Sequence, residues 1–571
     1  MRHTRLTALA LAAVLTAACQ SLEPAVQEQA TTAEPAKPSG LGSYLAGKVA
    51  RSARDTPAAA EFYAAALADD PDNQALLERT MFLQLAEGRM GAASDLAARR
   101  VAVAPRAPMA RFTLATMSMR AGDMAAAREH LEESDLSGFA GFMQPLVLSW
   151  ARLGEGDLEA GLEALEPLRN RQAFDGFRIY HTALLNDVAG RYDAAEEAYR
   201  AALESDARNA TRLVLAYGAM LSRLGRRDEA EALFADYLQR LPDNAVIVTA
   251  YRVVLSGGVV TPPVAAPEHG AAEAFLGAAG ALAREPSTDT AKIYVQLALH
   301  LRPDLDEAHM LLAEIREAAG RYAEANASYG RVQAGSAYHW EARIRIAANL
   351  DRLRQTEAAI AALETMAAER PEDPSPLVAA ADILRARERY LDAVAMYDRA
   401  FSRIPEFSRR HWTLLYSRGI ALERSKQWAR AEQDFLHALE LRPDQPLVLN
   451  YLGYSWTEQG VNLEQARDMI EKAVQQRPND GYVVDSLGWA YFRMGDYDEA
   501  VLHLERAVEL RPEDPVINEH LGDAYWRVGR QLEAGFQWRR ALALGPAAEQ
   551  VPLIEAKLSK GLPPASSPGN G

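Results

Sequence analysis

The chain has 571 residues, 49% hydrophobic and 25% charged, a balance typical of folded soluble proteins. Its 62 basic and 78 acidic side chains leave a net charge of −16, which argues against a nucleic-acid ligand, because phosphate contacts need clustered Lys and Arg. The only cysteine is Cys19, which excludes an intrachain disulfide and a thiolate metal cluster.

The chain starts MRHTRLTALALAAVLTAAC, with Arg2 and Arg5, an apolar run from Leu6 to Leu15, and Thr16-Ala17-Ala18 before Cys19. A charged region, a short apolar region and a small-residue ending read as a secretory signal over residues 1–18. The run is too short to span a bilayer. Its ending resembles the bacterial lipobox, in which the cysteine is lipidated and becomes the first mature residue. Thr16 departs from the commoner leucine. The alternative is a plain signal peptide with an incidental cysteine, but the sole cysteine falls on the one position the motif needs. Gln20 follows in place of aspartate, which by analogy with enterobacterial sorting implies the periplasmic face of the outer membrane, reached through a lipid anchor. Residues 19–40 hold three prolines after Cys19 and few large apolar side chains, so they read as a tether with a reach of roughly 25 Å.

From Leu41 helical periodicity takes over. Residues 41–256 read as a degenerate array of helix pairs. Ala60, Tyr63, Leu67 and Pro71 mark the first pair, and Pro105 closes the second. Looser copies turn at Gly122-Asp123 and at Gly154 to Asp157, and better-formed units begin at Gly176 and Thr211. The stretch GGVVTPPVAAPEHG interrupts the array, so 257–271 reads either as a subdomain boundary or as a long loop within one continuous array. A regular register over 272–546 follows, with units starting at Ala272, Asp306, Trp340, Pro374, Trp412, Pro446, Gly481 and Pro515. Residues 547–571 read as a short capping helix and a disordered tail.

The pattern is clearest from Pro446 to Pro546. Gly488 and Gly522 are small residues on the first helix of their units, Tyr491 and Tyr525 fill the next layer, Ala500 and Ala534 are small at the crossing, and Pro512 and Pro546 close each unit. The 34-residue period between the units starting at Gly481 and Pro515 is that of the tetratricopeptide (TPR) helix–turn–helix repeat. The expected fold is all-α, a TPR superhelix (α-solenoid) of about 13 to 14 repeats.

Enzyme motifs are absent: there is no HExxH, GxSxG, phosphate loop or GxGxxG. No histidine pair has helical metal spacing, and His437, His503 and His520 read as packing or surface residues. The sequence therefore calls for no catalytic residue, metal or cofactor. What remains is a binding surface. The first helix of each repeat lines the concave groove, and the residues flanking its packing stripe are Asn450, Tyr451, Tyr454, Asp485, Trp489, Phe492, Asp523 and Trp526. Aromatic rings interleaved with carboxylates suit an extended peptide or a partner helix. The competing reading packs the rings between repeats and leaves the acids on a solvated face.

The stretch from Tyr451 to Arg530, above all DSLGWAYFRMGDYDEA at Asp485 to Ala500, resembles the C-terminal part of proteobacterial TPR outer-membrane lipoproteins. The best-understood member of that group is the adaptor of a periplasmic carboxyl-terminal processing protease, which it activates and supplies with cell-wall hydrolases. The resemblance implies a non-catalytic, membrane-anchored scaffold whose partners are such a protease and its hydrolase substrates. Related lipoproteins serve pilus assembly, outer-membrane assembly or peptidoglycan synthesis, so an assembly factor is the alternative.

Overall fold

The repeat is punctuated by local backbone chemistry. Asp480, Asp496 and Asp514 accept backbone N–H groups at helix N-termini, and Pro446 and Pro515 occupy first-turn positions where their missing N–H costs nothing. Gly460 and Gly495, in the left-handed region at φ 71° and 87°, end the first helices of their units. A computed structural model describes residues 39–169, 172–204, 210–283 and 288–564. The signal segment 1–18, Cys19, nearly all of the tether and the tail from 565 lie outside the described residues. Among the described residues the chain forms helices and no strands.

Two units are distinguished, Met1–Ala308 and His309–Gly571. In the first, six antiparallel pairs follow one another: α1 (Gly40–Ser52) and α2 (Thr56–Asp69), α3 (Gln74–Ala86) and α4 (Met90–Val103), α5 (Pro108–Arg120) and α6 (Met124–Glu132), α7 (Ala140–Gly154) and α8 (Leu158–Ala164), α9 (Gln172–Val188) and α10 (Tyr192–Glu204), α11 (Thr211–Arg223) and α12 (Arg227–Arg240). α13 (Ala245–Leu255) packs on α12 and α11. A helical hairpin, α14 (Pro267–Leu282) and α15 (Thr288–Leu301), closes the unit.

That hairpin does not continue the stack. It folds back onto the first helices of earlier repeats, α14 against α7 and α9, α15 against α3 and α5. A Cβ at Gly270 would lie 2.1 Å from the Trp150 ring, so glycine is the only residue that admits the contact. Phe275 stacks near Tyr294, and Tyr294 meets Phe139, which joins a cluster with Phe142, Phe174 and Phe177. The charged groups Lys292, Glu273 and Arg212 caught beneath are paired. Lys292 Nζ donates to Thr56 Oγ1 at 2.9 Å and reaches Glu87 at 3.4 Å. Glu273 accepts from Tyr180 at 3.1 Å and from Arg212, which also pairs with Glu307. Such pairing is what permits charge in an interior.

The domain boundary and the start of the regular array therefore differ from the sequence reading. The division falls between Ala308 and His309, in the first turn of α16 (Asp306–Ala318), and not in 257–271. Residues 272–301 belong to the N-terminal unit. The physical reason is in the hairpin's composition: AAEAFLGAAGAL and AKIYVQLALHL lack the polar face of a surface repeat, and Ala291 to Leu299 are all buried. A helix apolar all round must be covered on all sides. The proline-rich segment before it is not a solvated linker either, since Val260 and Val264 are buried.

The second unit continues with α16 and α17 (Tyr322–Tyr329), α18 (His339–Arg352) and α19 (Thr356–Glu369), α20 (Ser375–Ala386) and α21 (Tyr390–Phe401), α22 (Trp412–Arg424) and α23 (Trp428–Leu441). Three more pairs complete it: α24 (Pro446–Gln459) and α25 (Leu463–Gln476), α26 (Gly481–Met494) and α27 (Tyr497–Leu510), α28 (Pro515–Arg527) and α29 (Gln531–Ala543), with α30 (Val551–Lys560) at the end. The small positions do what the sequence requires of them. A Cβ at Gly488 would meet Leu504 at 2.6 Å and one at Gly522 would meet Trp538 at 2.5 Å, while Ala500 and Ala534 are fully buried. These are tetratricopeptide repeats in an all-helical solenoid arrangement.

Candidate functional site

Successive repeats place equivalent residues side by side on the first helices of the C-terminal unit. One column is Asn450, Asp485 and Glu519; the next, four residues on, is Tyr454, Trp489 and Asp523. Two adjoining pockets lie along these columns. The smaller, about 260 Å³, is lined by Asn450, Tyr451, Tyr454, Tyr482, Asp485 and Val516 among others. The larger, about 750 Å³, opens between α30 and the first helices, with Tyr454, Glu458, Trp489, Glu519, His520 and Lys557 in its wall.

Trp489 is the centre of the larger pocket. Its ring stacks on His520 with centroids 4.0 Å apart and on Phe492 at 4.7 Å, and its indole N–H donates to Glu458. His520 Nδ1 lies 3.0 Å from Asp485 Oδ1. Burial disfavours the imidazolium, but the carboxylates of Asp485, Asp523 and Glu519 outweigh it and raise the His520 pKa. Lys557 Nζ donates to Glu519 at 2.7 Å and to Asp523 at 2.6 Å, and Asp523 also accepts from Trp538 Nε1 at 2.9 Å. Burial lifts the Asp523 carboxyl above the ordinary carboxylate value despite Lys557. Burial likewise pushes the Tyr454 phenol well up.

The eight sequence-derived residues thus divide. Asn450, Tyr451, Tyr454, Asp485, Trp489 and Asp523 line one or both pockets. Phe492 and Trp526 line neither; both pack against the hydrophobic cluster of the last repeats. Trp526 is covered by the chain end, since a Cβ at Gly561 would overlap its ring. Tyr451 has a double role, packing on Phe435 and donating to Glu423 at 3.0 Å. The carboxylates depart from the expectation of a solvated face: Asp485 and Asp523 are 6% and 4% exposed. Each is paired with a side chain supplied from another helix, Asp485 with His520 and Asp523 with Lys557, which sequence spacing within one helix does not reveal. Asn450 Oδ1, by contrast, is buried with no hydrogen-bond partner.

Glu519, His520 and Lys557 were not among the sequence-derived site residues. Extending the Asn450–Asp485 column by one repeat reaches Glu519, so that residue was legible. Lys557 was not, because its helix follows the last repeat and obeys no register. Among the described residues no group of three or more His, Cys, Asp and Glu is arranged to hold a metal, and no helix is long and apolar enough to cross a membrane.

The tetratricopeptide repeat family matches residues 182–245, 378–446 and 416–481, and the TPR repeat family matches 488–529. The TPR repeat-containing protein PA4667 of Pseudomonas aeruginosa is 26% identical over 201 residues, covering 35% of this chain and 33% of that protein. The match thus spans about a third of the relative's length. Among solved structures, the Cut9–Hcn1 hetero-tetramer of APC/C overlaps 86% of this chain and 97% of that chain at 16% identity and a TM-score of 0.37. YrrB, a TPR protein with an unusual peptide-binding site, overlaps 34% and 97% at 19% identity and a TM-score of 0.28. The matched segments are tetratricopeptide repeats, and such repeats indicate a protein-interaction scaffold.

Proposed function

We propose that this chain is a non-catalytic adaptor, anchored through a lipid on Cys19 at the periplasmic face of a bacterial outer membrane, and that its C-terminal groove captures protein partners. The partners are a carboxyl-terminal processing protease and its cell-wall hydrolase substrates. The observation that carries the groove assignment is the paired pockets along Asn450–Asp485–Glu519 and Tyr454–Trp489–Asp523, where partly exposed rings sit among carboxylates. The lipobox-like ending at Cys19 supports the anchor, and the resemblance over Tyr451 to Arg530 supports the choice of partner. Holding two partners on one scaffold raises their effective concentration toward mM when the linkage is short.

The test is affinity purification of the full-length protein from its own envelope, with mass spectrometry of what accompanies it. A processing protease or hydrolases in near-stoichiometric amount supports the adaptor. Subunits of a pilus, outer-membrane assembly or synthase machine refute it in favour of assembly. Globomycin treatment that leaves the processed form unchanged would refute lipidation.

A further inference from the structure

The end of the chain deepens the groove reading and rests on it. α30 lies over the last repeat with a single buried side chain, Ile554, which enters the cluster of Leu521, Ala524, Tyr525 and Trp538. One turn later, three residues on, Lys557 forms its two bonds to Glu519 and Asp523. Leu558 and Leu562 are only partly buried, and Leu553 is 55% exposed although it borders the larger pocket. The attachment of α30 itself is thus one aliphatic anchor, two partial contacts and one doubly paired ammonium, and the residues just after it add the cover of Trp526 by Gly561 and a hydrogen bond from Arg527 to the Pro563 carbonyl at 2.7 Å. The α14–α15 hairpin of the N-terminal unit, buried through most of its length, is held quite differently.

The surface beneath α30 is nonetheless built for a helix. With α30 in place Glu519 and Asp523 are 8% and 4% exposed, and two carboxylates enclosed in this way need a cation beside them. The apolar slot for Ile554 sits one helical turn away, the spacing at which side chains share a helix face. The larger pocket runs beside α30, between its Gln550–Leu553–Lys557–Lys560 face and the wall formed by Val516, Trp489 and Tyr454, so a helix with bulkier side chains on that face would fill space that α30 leaves open.

We propose that α30 is a resident stand-in for a helix of the partner: the inner face of the last repeat binds an amphipathic helix that carries an apolar residue and, three positions later, a lysine or arginine, and that helix displaces α30. Tethering gives α30 a high local concentration, so the free chain is self-occupied and an incoming helix succeeds by the added contacts at Trp489 and Tyr454.

The probe is a fluorescein-labelled peptide of residues 551–562, VPLIEAKLSKGL, titrated into full-length protein by fluorescence anisotropy. Lys557→Glu places a third carboxylate against Glu519 and Asp523, and Ile554→Asp removes the apolar anchor. Hydrogen exchange on both variants is expected to show α30 released while α26 to α29 keep their protection. Both variants are then expected to bind the peptide at least tenfold more tightly than the native chain, and a peptide carrying glutamate in place of lysine is expected not to bind. Three results would overturn the proposal: α30 protected in both variants, the last repeat unfolding with it, or a released α30 with no gain in peptide binding. Failure here leaves partner capture through Tyr454 and Trp489 standing. Loss of that capture with peptide binding intact would instead refute the function proposed above.

Discussion

Gly270→Ala probes how the N-terminal unit is closed. The added methyl would sit 2.1 Å from two atoms of the Trp150 ring, so the ring or the helix must retreat by about 1.3 Å to reach ordinary contact near 3.4 Å. Trp150 is fully buried and its Nε1 donates to His181 Nδ1 at 2.9 Å, so the ring cannot retreat without straining that bond. Overpacking of this kind costs about 1–3 kcal/mol, and the buried hydrogen bond adds about 1 kcal/mol. A loss of about 2–4 kcal/mol corresponds to an opening equilibrium raised about 30- to 1000-fold. Hydrogen exchange with mass spectrometry reads it locally: faster exchange is expected in 267–301 and in α7 and α9, with 446–543 unchanged. Unaltered exchange across 267–301 would refute the packing of the hairpin on α7. It would favour the reading in which residues 272–301 begin the regular array and Gly270 ends an exposed loop.

Glu273→Gln leaves the partly buried Arg212 with only Glu307 as a carboxylate partner, and a loss of about 3 kcal/mol confined to the N-terminal unit is expected in the same experiment. Acid acts on that unit through His181, whose pKa burial lowers to about 4. The folded value lies below the unfolded one, so stability is full above about pH 6.5 and falls progressively toward pH 4. Because Trp150 is the only tryptophan before residue 309, its fluorescence in a chain whose other tryptophans are replaced by phenylalanine is expected to report that loss. Trp489→Ala removes a partly buried ring stacked on His520 and Phe492. It is expected to cost ~2 kcal/mol, leave far-ultraviolet dichroism unchanged and weaken partner capture. Collapse of helicity would make the ring a structural one.

The repeat was legible because its packing repeats in sequence. Gly488, Gly522, Ala500 and Ala534 are small where helices touch, and each touches what the 34-residue register assigns it. The hairpin reads as part of the array because its alanines satisfy the same register by spacing, although its helices lack a polar face; Ala272 matches a repeat start by spacing yet lies buried in the N-terminal unit. The site was half legible. Tyr454 and Trp489 lie in a column that any alignment of repeats displays, whereas the partners of Asp485 and Asp523 are His520 on the next repeat and Lys557 on the helix after the last repeat. Phe492 and Trp526 show the limit of reading exposure from spacing: Phe492 is packed between Trp489 and Tyr497, and Trp526 is covered by Gly561 after α30.

The central claim is that the C-terminal groove is where partners bind. It is tested most directly by placing a photo-crosslinking residue at Tyr454 and, as a control, at Phe536, which is 59% exposed on α29 and lines neither pocket. Irradiation in the native envelope is expected to trap one discrete protein at position 454 and none at 536. The same product at both positions, or at 536 alone, would contradict the account.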